Sequence, residues 1–256
     1  MRAQVDSEFS GKVVLVTGAG RGSGRAIAQA FAELGAAVAA NDLTPINLDQ
    51  TVSDITAAGG KTQGYVYDVA KRMPVQAMVD QVIQDWGRID VLVNNARVIP
   101  KASIIDMGEW DWQRTIDVNL SGPFFATQSA SRVMQRQGGG VIINVAYAGG
   151  FRDHAAYIAS RTGLIGLTRA AAEEFAAENI RAHAVCSSDL MKESTPLCNE
   201  HESLKRTYLK KINLENFGRM ANMVGLVLFL SNNAAAHITG QVLHIDQDPK
   251  DFTNLT

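Results

Sequence analysis

The run Thr17-Gly18-Ala19-Gly20-Arg21-Gly22-Ser23-Gly24 is the first stretch of this sequence equipped for chemistry, and what it can do is hold phosphate. Small residues at this spacing let a backbone turn tightly and approach a pyrophosphate, whose charge is favoured by the N-terminus of a following helix. Asp42, further along, has the chemistry to accept hydrogen bonds from an adenosine ribose and to repel a 2′-phosphate, which favours NAD over NADP. The bland readings are a plain tight turn for the glycines and a helix N-cap beside Thr44 for Asp42. A second group stands in the C-terminal half, where Tyr157 is followed four residues later by Arg161. His154, just before Tyr157, offers an acid or base, although a histidine there is more often a surface-loop residue, and its one evident carboxylate neighbour is Asp153. Lys205, Arg206, Lys210 and Lys211 lie at helical spacings that suit either a solvated face or the phosphates of a CoA-like ligand.

Positioning these residues requires a scaffold, and the hydrophobic pattern supplies one. Short β-rich apolar runs alternate with longer stretches of helical period, the pattern of an α/β parallel sheet covered on both faces. Strands are expected at Lys12–Thr17, Ala36–Asn41, Thr62–Tyr67, Asp90–Asn94, Val141–Val145, Arg181–Cys186 and Val242–Ile245, the first six nearly all apolar, as strands buried on both faces should be. Helices are expected near Gly22–Leu34, Asn47–Ala58, Arg72–Trp86, Glu109–Gln135, Ala155–Glu178 and Met220–Ser231. Right-handed crossovers then give a Rossmann-type doubly wound, seven-stranded parallel sheet. The whole chain, 1–256, reads as one domain with a polar flap at about 189–218 and a short tail at 247–256.

Composition narrows the function classes. Apolar residues at 46% and charged residues at 20% suit a globular chain with a sizeable core. A net charge of -2 gives no basic stripe for nucleic acid, and no apolar run approaches the ~20 residues that span a bilayer. The two cysteines, Cys186 and Cys198, lack the paired spacing of a disulfide framework or zinc site, so no metal is expected and a reducing, cytoplasmic setting fits.

Ordered along the chain, the motifs resemble those of the short-chain dehydrogenase/reductase family. Thr17–Gly24 matches its glycine motif, with Gly18, Gly22 and Gly24 at the loop, and Asp68-Val69 its adenine-contacting pair. Asn94-Asn95-Ala96 matches its strand-four motif, Asn119 its helix asparagine, Tyr157 its catalytic tyrosine, and Thr239-Gly240-Gln241 the turn before the last strand. The resemblance covers Gly11 to about Asp246 and implies NAD as cofactor, with Gly18, Gly22, Gly24, Asp42, Asp68, Val69 and Asn95 as its contacts and Tyr157 and Asn119 as catalytic positions.

The same resemblance exposes losses. In the family a lysine four residues after the tyrosine lowers its pKa, which matters because an ordinary phenol near pKa ~10 is a poor base at neutral pH. Here Arg161 stands there, and its planar fork cannot replace an ammonium among ribose hydroxyls. Ala146 falls where the family's serine donates to the substrate oxygen, a loss that costs ~10²–10³ in rate. Asn144 or Tyr147 remains an alternative donor, since the segment before Tyr157 looks short. The strand-four glycine is replaced by Arg97, which could fill the pocket and exclude NAD from this chain. Ser187-Ser188 replaces the Pro-Gly after strand six, and Gln247-Asp248 the glycine pair after the last strand.

Five departures in one site suggest a non-catalytic subunit paired with an active paralogue, assembling through the helices at Glu109–Gln135 and Ala155–Glu178. The second of these has a run of small residues, Ala159, Gly163, Gly166, Ala170 and Ala171, that permits close helix approach. The departures resemble those of inactive subunits in heterotetrameric dehydrogenases of aromatic hydrocarbon catabolism, whose active partner would bind NAD and an aromatic acyl-CoA. Other readings are a weak NAD-dependent alcohol dehydrogenase using Tyr157, Arg161 and Asn119, an enzyme similar to the halohydrin dehalogenases, or an NAD sensor.

Overall fold

A computed structural model describes residues 8–146, 150, 152–187 and 219–245. Seven strands form one parallel sheet in the order β3-β2-β1-β4-β5-β6-β7: β1 Val13–Thr17, β2 Ala37–Asp42, β3 Lys61–Val66, β4 Val91–Asn94, β5 Gly140–Ala146, β6 Ile180–Cys186 and β7 Val242–His244. Helices α1 Gly22–Glu33, α2 Pro45–Ala57 and α7 Arg219–Ser231 cover one face. On the other lie α3 Arg72–Trp86, α5 Gly122–Gln137 and α6 Ala155–Glu174, with α4 Glu109–Ile116 leading into α5. The expected Rossmann-type sheet is therefore present, with every strand in place to within a residue or so.

Strand alternation explains the two cores. Val14, Val16, Val38, Val93, Ile143 and Val185 face α1 and α7, whereas Val13, Leu15, Leu92 and Ile142 face α3 and α5. Neither face of the central strands meets water, which is why they read as unbroken apolar runs. The third strand departs from that expectation: β3 is the sheet edge, and along it only Tyr65 is buried. Its polar residues follow from having one neighbour instead of two.

The expected long helix at Glu109–Gln135 is two helices. Between α4 and α5 the chain makes a π-helical turn, Asp117–Ser121, which carries Asn119 at its centre. Such widened turns are characteristic of functional positions, because the extra residue redirects a side chain. The helix at the other side of the site also ends earlier than expected, at Glu174, followed by a 3₁₀ turn at Ala176–Glu178. The flap at 189–218, the tail at 247–256, Cys198 and the basic group Lys205, Arg206, Lys210 and Lys211 lie outside the described residues, as do Tyr147, Ser188, Gln247 and Asp248.

Among the described residues no helix is long and apolar enough to cross a membrane, and no cluster of side chains could hold a metal ion.

Candidate functional site

In a sheet of this order the chain reverses direction between β1 and β4, and ligands of such folds bind in the crevice beyond the carboxyl ends of those strands. The loops there are stitched together by buried polar groups. Thr17 Oγ1 accepts from the N–H of Asn95 and of Ala96, at 3.0 and 3.2 Å. Asn95 Nδ2 donates to the carbonyls of Thr17 and Gly18, and its Oδ1 accepts from Ser23 Oγ at 2.8 Å.

The glycines are demanded by this packing. Gly18 has φ +66, and a Cβ there would meet Ala96 Cα at 2.7 Å. A Cβ on Gly24 would run into the carbonyl of Gly18 and come within 2.5 Å of Asn95 Nδ2. Both positions need glycine whether or not a pyrophosphate is present, so the motif testifies first to the fold.

On the adenosine side of the crevice, Asp42 Oδ2 accepts from Gly20 N at 2.9 Å and Oδ1 from Thr44 N at 2.9 Å. The carboxylate thus clamps the glycine loop to the turn entering α2, and two of its roughly four lone-pair directions are still available for ribose hydroxyls. Its expected N-cap alternative is half met: it serves Thr44, the capping residue, rather than the first turn of the helix. Asp68 accepts from Ala70 N at 3.0 Å and pairs with Arg114 Nη1 of α4 at 3.1 Å, an ion pair the sequence did not announce. Val69 is buried beside it, with Gly122 of α5 against its carbonyl.

The other half of the crevice is differently furnished. Arg97 Nη1 donates to Ser23 Oγ at 3.0 Å, so a guanidinium from the loop after β4 crosses to the start of α1. Arg161, on α6, is fully buried; Nη1 donates to Val145 O and Nη2 to Ala96 O, each at 3.0 Å, while Nε lacks an acceptor among the described residues. Desolvation lowers its pKa, Tyr157 opposes that and the nearby Arg97 cation adds to it. Both hydrogen bonds go to neutral carbonyls, an arrangement that fixes the fork between the ends of β4 and β5.

Tyr157 is fully buried one turn earlier on α6, with the Arg161 guanidinium carbon 5.7 Å from its ring centroid, within cation–π range. Asn119 is also buried: Oδ1 accepts from Val98 N at 2.9 Å, and Nδ2 donates to Val98 O at 2.9 Å and to Ser160 Oγ at 3.2 Å. Ser160 donates in turn to the carbonyl of Tyr157 at 2.7 Å. The amide therefore braces the Ala96–Val98 segment against α6. Ser23 and Ser160 were missed by sequence reading; Ser23 lay inside the glycine run, where its hydroxyl was the available signal.

Ala146 ends β5 and packs against Leu164, Ala184 and Cys186, an apolar nest with no donor at that position. Asn144 is not its substitute. Its Nδ2 donates to Thr168 Oγ1 at 2.9 Å and its Oδ1 accepts from Asn94 Nδ2 at 2.8 Å, so the amide is spent inside the sheet-to-helix layer. His154 lies outside the group as well: its ring Nδ1 is 2.8 Å from Arg152 O in the exposed turn before α6. The structure thus gathers Gly18, Gly24, Asn95, Arg97, Asn119, Ala146, Tyr157 and Arg161 around one crevice, with Asp42 and Asp68 at its adenosine end. A nicotinamide dinucleotide fits this set in part: Asp42 and the loop suit an adenosine and its phosphates, while beyond them Arg97 is tied to Ser23 and Arg161 to two backbone carbonyls.

Comparisons with known proteins point the same way for the family. A family model described as enoyl-(acyl carrier protein) reductase matches residues 18–247. A 3-oxoacyl-[acyl-carrier-protein] reductase of Thermotoga maritima is 39% identical over 242 residues, covering 93% of this chain and 97% of that protein. One from Staphylococcus aureus is 37% identical over 239 residues, covering 92% and 96%. Among solved structures, a short-chain type dehydrogenase/reductase from Mycobacterium marinum superposes with TM-score 0.80 at 32% identity, covering 94% of this chain and 96% of that one. A 7α-hydroxysteroid dehydrogenase complexed with NADH and 7-oxo glycochenodeoxycholic acid matches at TM-score 0.80 and 26% identity, covering 94% of each chain.

Proposed function

Because the chain belongs to the short-chain dehydrogenase/reductase family of oxidoreductases, we propose that it is a degenerate member, a non-catalytic subunit that pairs with an active paralogue in an NAD-dependent secondary-alcohol dehydrogenase. The observation that carries this reading is the Arg97 bridge to Ser23 across the crevice, with Arg161 locked onto two backbone carbonyls behind it. A guanidinium fixed between Val145 O and Ala96 O is not placed to hold a ribose hydroxyl, and Ala146 offers no proton to a carbonyl oxygen. Removing one such donor alone costs ~10²–10³ in rate.

The proposed assembly is a cytoplasmic heterotetramer. The active partner would bind NAD and an aromatic acyl-CoA and oxidise its secondary alcohol to a ketone, as in the 2-[hydroxy(phenyl)methyl]succinyl-CoA dehydrogenases of anaerobic toluene degradation, which form benzoylsuccinyl-CoA. Support for pairing comes from α6. Ala159, Gly166 and Ala170 are exposed on one face, while Gly163 packs on Leu120 and Ala171 is buried in the chain's own core. An exposed row of small residues lets a partner helix approach closely.

A second reading, an active reductase or weak alcohol dehydrogenase of its own, is favoured by the retained Tyr157 and Asn119 and by 39% identity to a reductase. One experiment separates the two: assay NAD(H)-linked turnover of alcohols and ketones by the purified chain alone and after co-expression with an intact paralogue. Turnover by the complex alone is the expected result. Turnover by the chain alone, abolished by Tyr157→Phe, overturns the proposal.

A further inference from the structure

We propose that Arg181 and His183 of β6 form an acid-operated latch. With its ring uncharged, His183 lets the Arg181 guanidinium hold the end of α7 and the turn into β7; protonation of the ring releases that junction while the rest of the sheet stays closed. The latch lies away from the crevice and does not depend on the functional reading above.

Strand alternation puts Arg181, His183 and Val185 on the face of β6 that α7 covers. There Arg181 gathers main-chain carbonyls: Nη1 donates to Leu230 O at 2.7 Å and to Ala235 O at 3.0 Å, and Nη2 to Asn232 O at 3.1 Å. These belong to the C-terminus of α7, where carbonyls lack helical partners, and to the 3₁₀ turn Asn233–Ala235, so the same cation closes a helix end and the turn after it. From that turn the chain returns to β6. Ile238 N donates to Ala235 O, Ala182 N to Thr239 Oγ1, Gly240 N to Ala182 O and Ala184 N to Gln241 O, and β7 follows. β7 is three residues long, stands at the sheet edge and pairs with β6, so its departure parts one strand pairing. Leu243 and Ile245, packed against the core under α1 and α7, would leave with it.

His183 sits under this clamp, fully buried, with Nε2 3.5 Å from Arg181 Nη1 and with Nδ1 meeting no hydrogen-bond partner among the described residues. A neutral ring can stay there. An imidazolium, which donates from both nitrogens and would lie against a guanidinium whose own donors face uncharged carbonyls, cannot stay without cost. Arg181 is the charge that faces the ring. From Asn222 to Ser231 α7 carries no charged side chain, and the strand neighbour on β5 is Ile143. Other titratable groups stand at the rim or behind the sheet: Glu8 accepts from Asn232 Nδ2, His237 and His244 are exposed, and Cys186 packs on the opposite face. Burial, then Arg181, pushes the ring's pKa down to about 4, with the Ile238 backbone partly opposing. In an opened junction the ring returns to about 6.5. The closed form is therefore fully favoured above pH 6.5 and loses ground as pH falls towards 4, with an opening constant that rises about 30-fold between pH 7.5 and pH 5.

The test is hydrogen exchange of the purified full-length chain, followed by mass spectrometry at pH 7.5 and pH 5 and corrected for the intrinsic effect of pH. Peptides covering residues 232–245 should exchange about 30-fold faster at pH 5, while those covering β1 change less than about threefold. His183→Gln, uncharged at both pH values, should abolish the rise, and His237→Gln, which removes an exposed histidine, should preserve it. Thermal melts at pH 7.5 establish that the variants are folded, with His183→Asn as the alternative substitution. Should neither His183 variant fold, imidazole proton resonances of the unsubstituted chain decide the matter: one ring titrating far below the others is expected, and all five histidines titrating near pH 6.5 overturns the latch. It is overturned equally by unchanged exchange at 232–245, by a rise that β1 shares in full, which is global unfolding, or by a rise that survives His183→Gln.

Discussion

Restoring the family's lysine by Arg161→Lys should damage the protein rather than repair it. Arg161 is fully buried, and its fork joins Val145 O to Ala96 O across 3.0 Å hydrogen bonds at each prong. An ammonium on a shorter stem reaches one of these carbonyls at most. Loss of one hydrogen bond to a charged group costs about 1.5–3 kcal/mol, and the void where the second prong lay adds a cavity cost of order 1 kcal/mol. The sum, about 2–4 kcal/mol, corresponds to a fall in Tm of roughly 5–15 °C for a chain of this size. The assay is urea denaturation of the chain and its variant, followed by tryptophan fluorescence, with a turnover measurement on the folded variant. No gain of activity is expected, since Ala146 and the Arg97–Ser23 bridge are untouched. A variant as stable as the parent would show that the guanidinium is not a brace, and one that becomes an active dehydrogenase would show that a single residue had silenced the site.

Three further outcomes follow from particular residues. His183 lies fully buried in β6 beside Arg181, and desolvation followed by that cation lowers its pKa to about 4. The unfolded chain binds the proton near pH 6.5, so stability should be complete above that and fall by about 3 kcal/mol as pH drops towards 4, a loss that His183→Gln should flatten in pH-dependent urea titrations. Gly24→Ala should cost about 3 kcal/mol or more, because the new methyl meets the Gly18 carbonyl and Asn95, neither of which can yield; a normally stable variant would contradict the close packing of the loop. Gly166→Ala, with open space around its Cβ and an exposed position on α6, should stabilise the isolated chain by about 1 kcal/mol yet weaken association measured by analytical ultracentrifugation. Unchanged association would remove that face from the proposed interface.

Much of the architecture could be read from the sequence because the central strands are buried on both sides. Val13–Thr17 and Gly140–Ala146 announce themselves as apolar runs, and the helices between them by their period. The edge strand Lys61–Val66 was located despite its polar residues but was assigned the wrong environment, since apolar content depends on how many neighbours a strand has, and strand order is not local information. The break at Asp117–Ser121 was invisible for a related reason: a π-helical turn inserts one residue into a pattern whose amphipathic face continues on either side.

The candidate site was legible in its losses and less so in its substitutions. Ala146 and Arg161 could be found by position, but whether Asn144 compensates was decided by its partners Asn94 and Thr168, which come from another strand and a helix. The glycine run is the more instructive case. Gly18 and Gly24 are required by contacts with Ala96, Asn95 and each other, so packing alone demands them whether or not a dinucleotide is bound. Ser23, within that run, is fully buried, and its hydroxyl ties two loops together by donating to Asn95 Oδ1 at 2.8 Å and accepting from Arg97 Nη1 at 3.0 Å. The motif glycines therefore report the scaffold, and the polar residue set among them reports how the loops around the crevice are tied together. On that argument Ser23→Ala, which leaves Asn95 Oδ1 without its donor and Arg97 Nη1 without this acceptor, should cost about 1–3 kcal/mol in urea denaturation, and a variant as stable as the parent would show that the hydroxyl does not hold the two loops together.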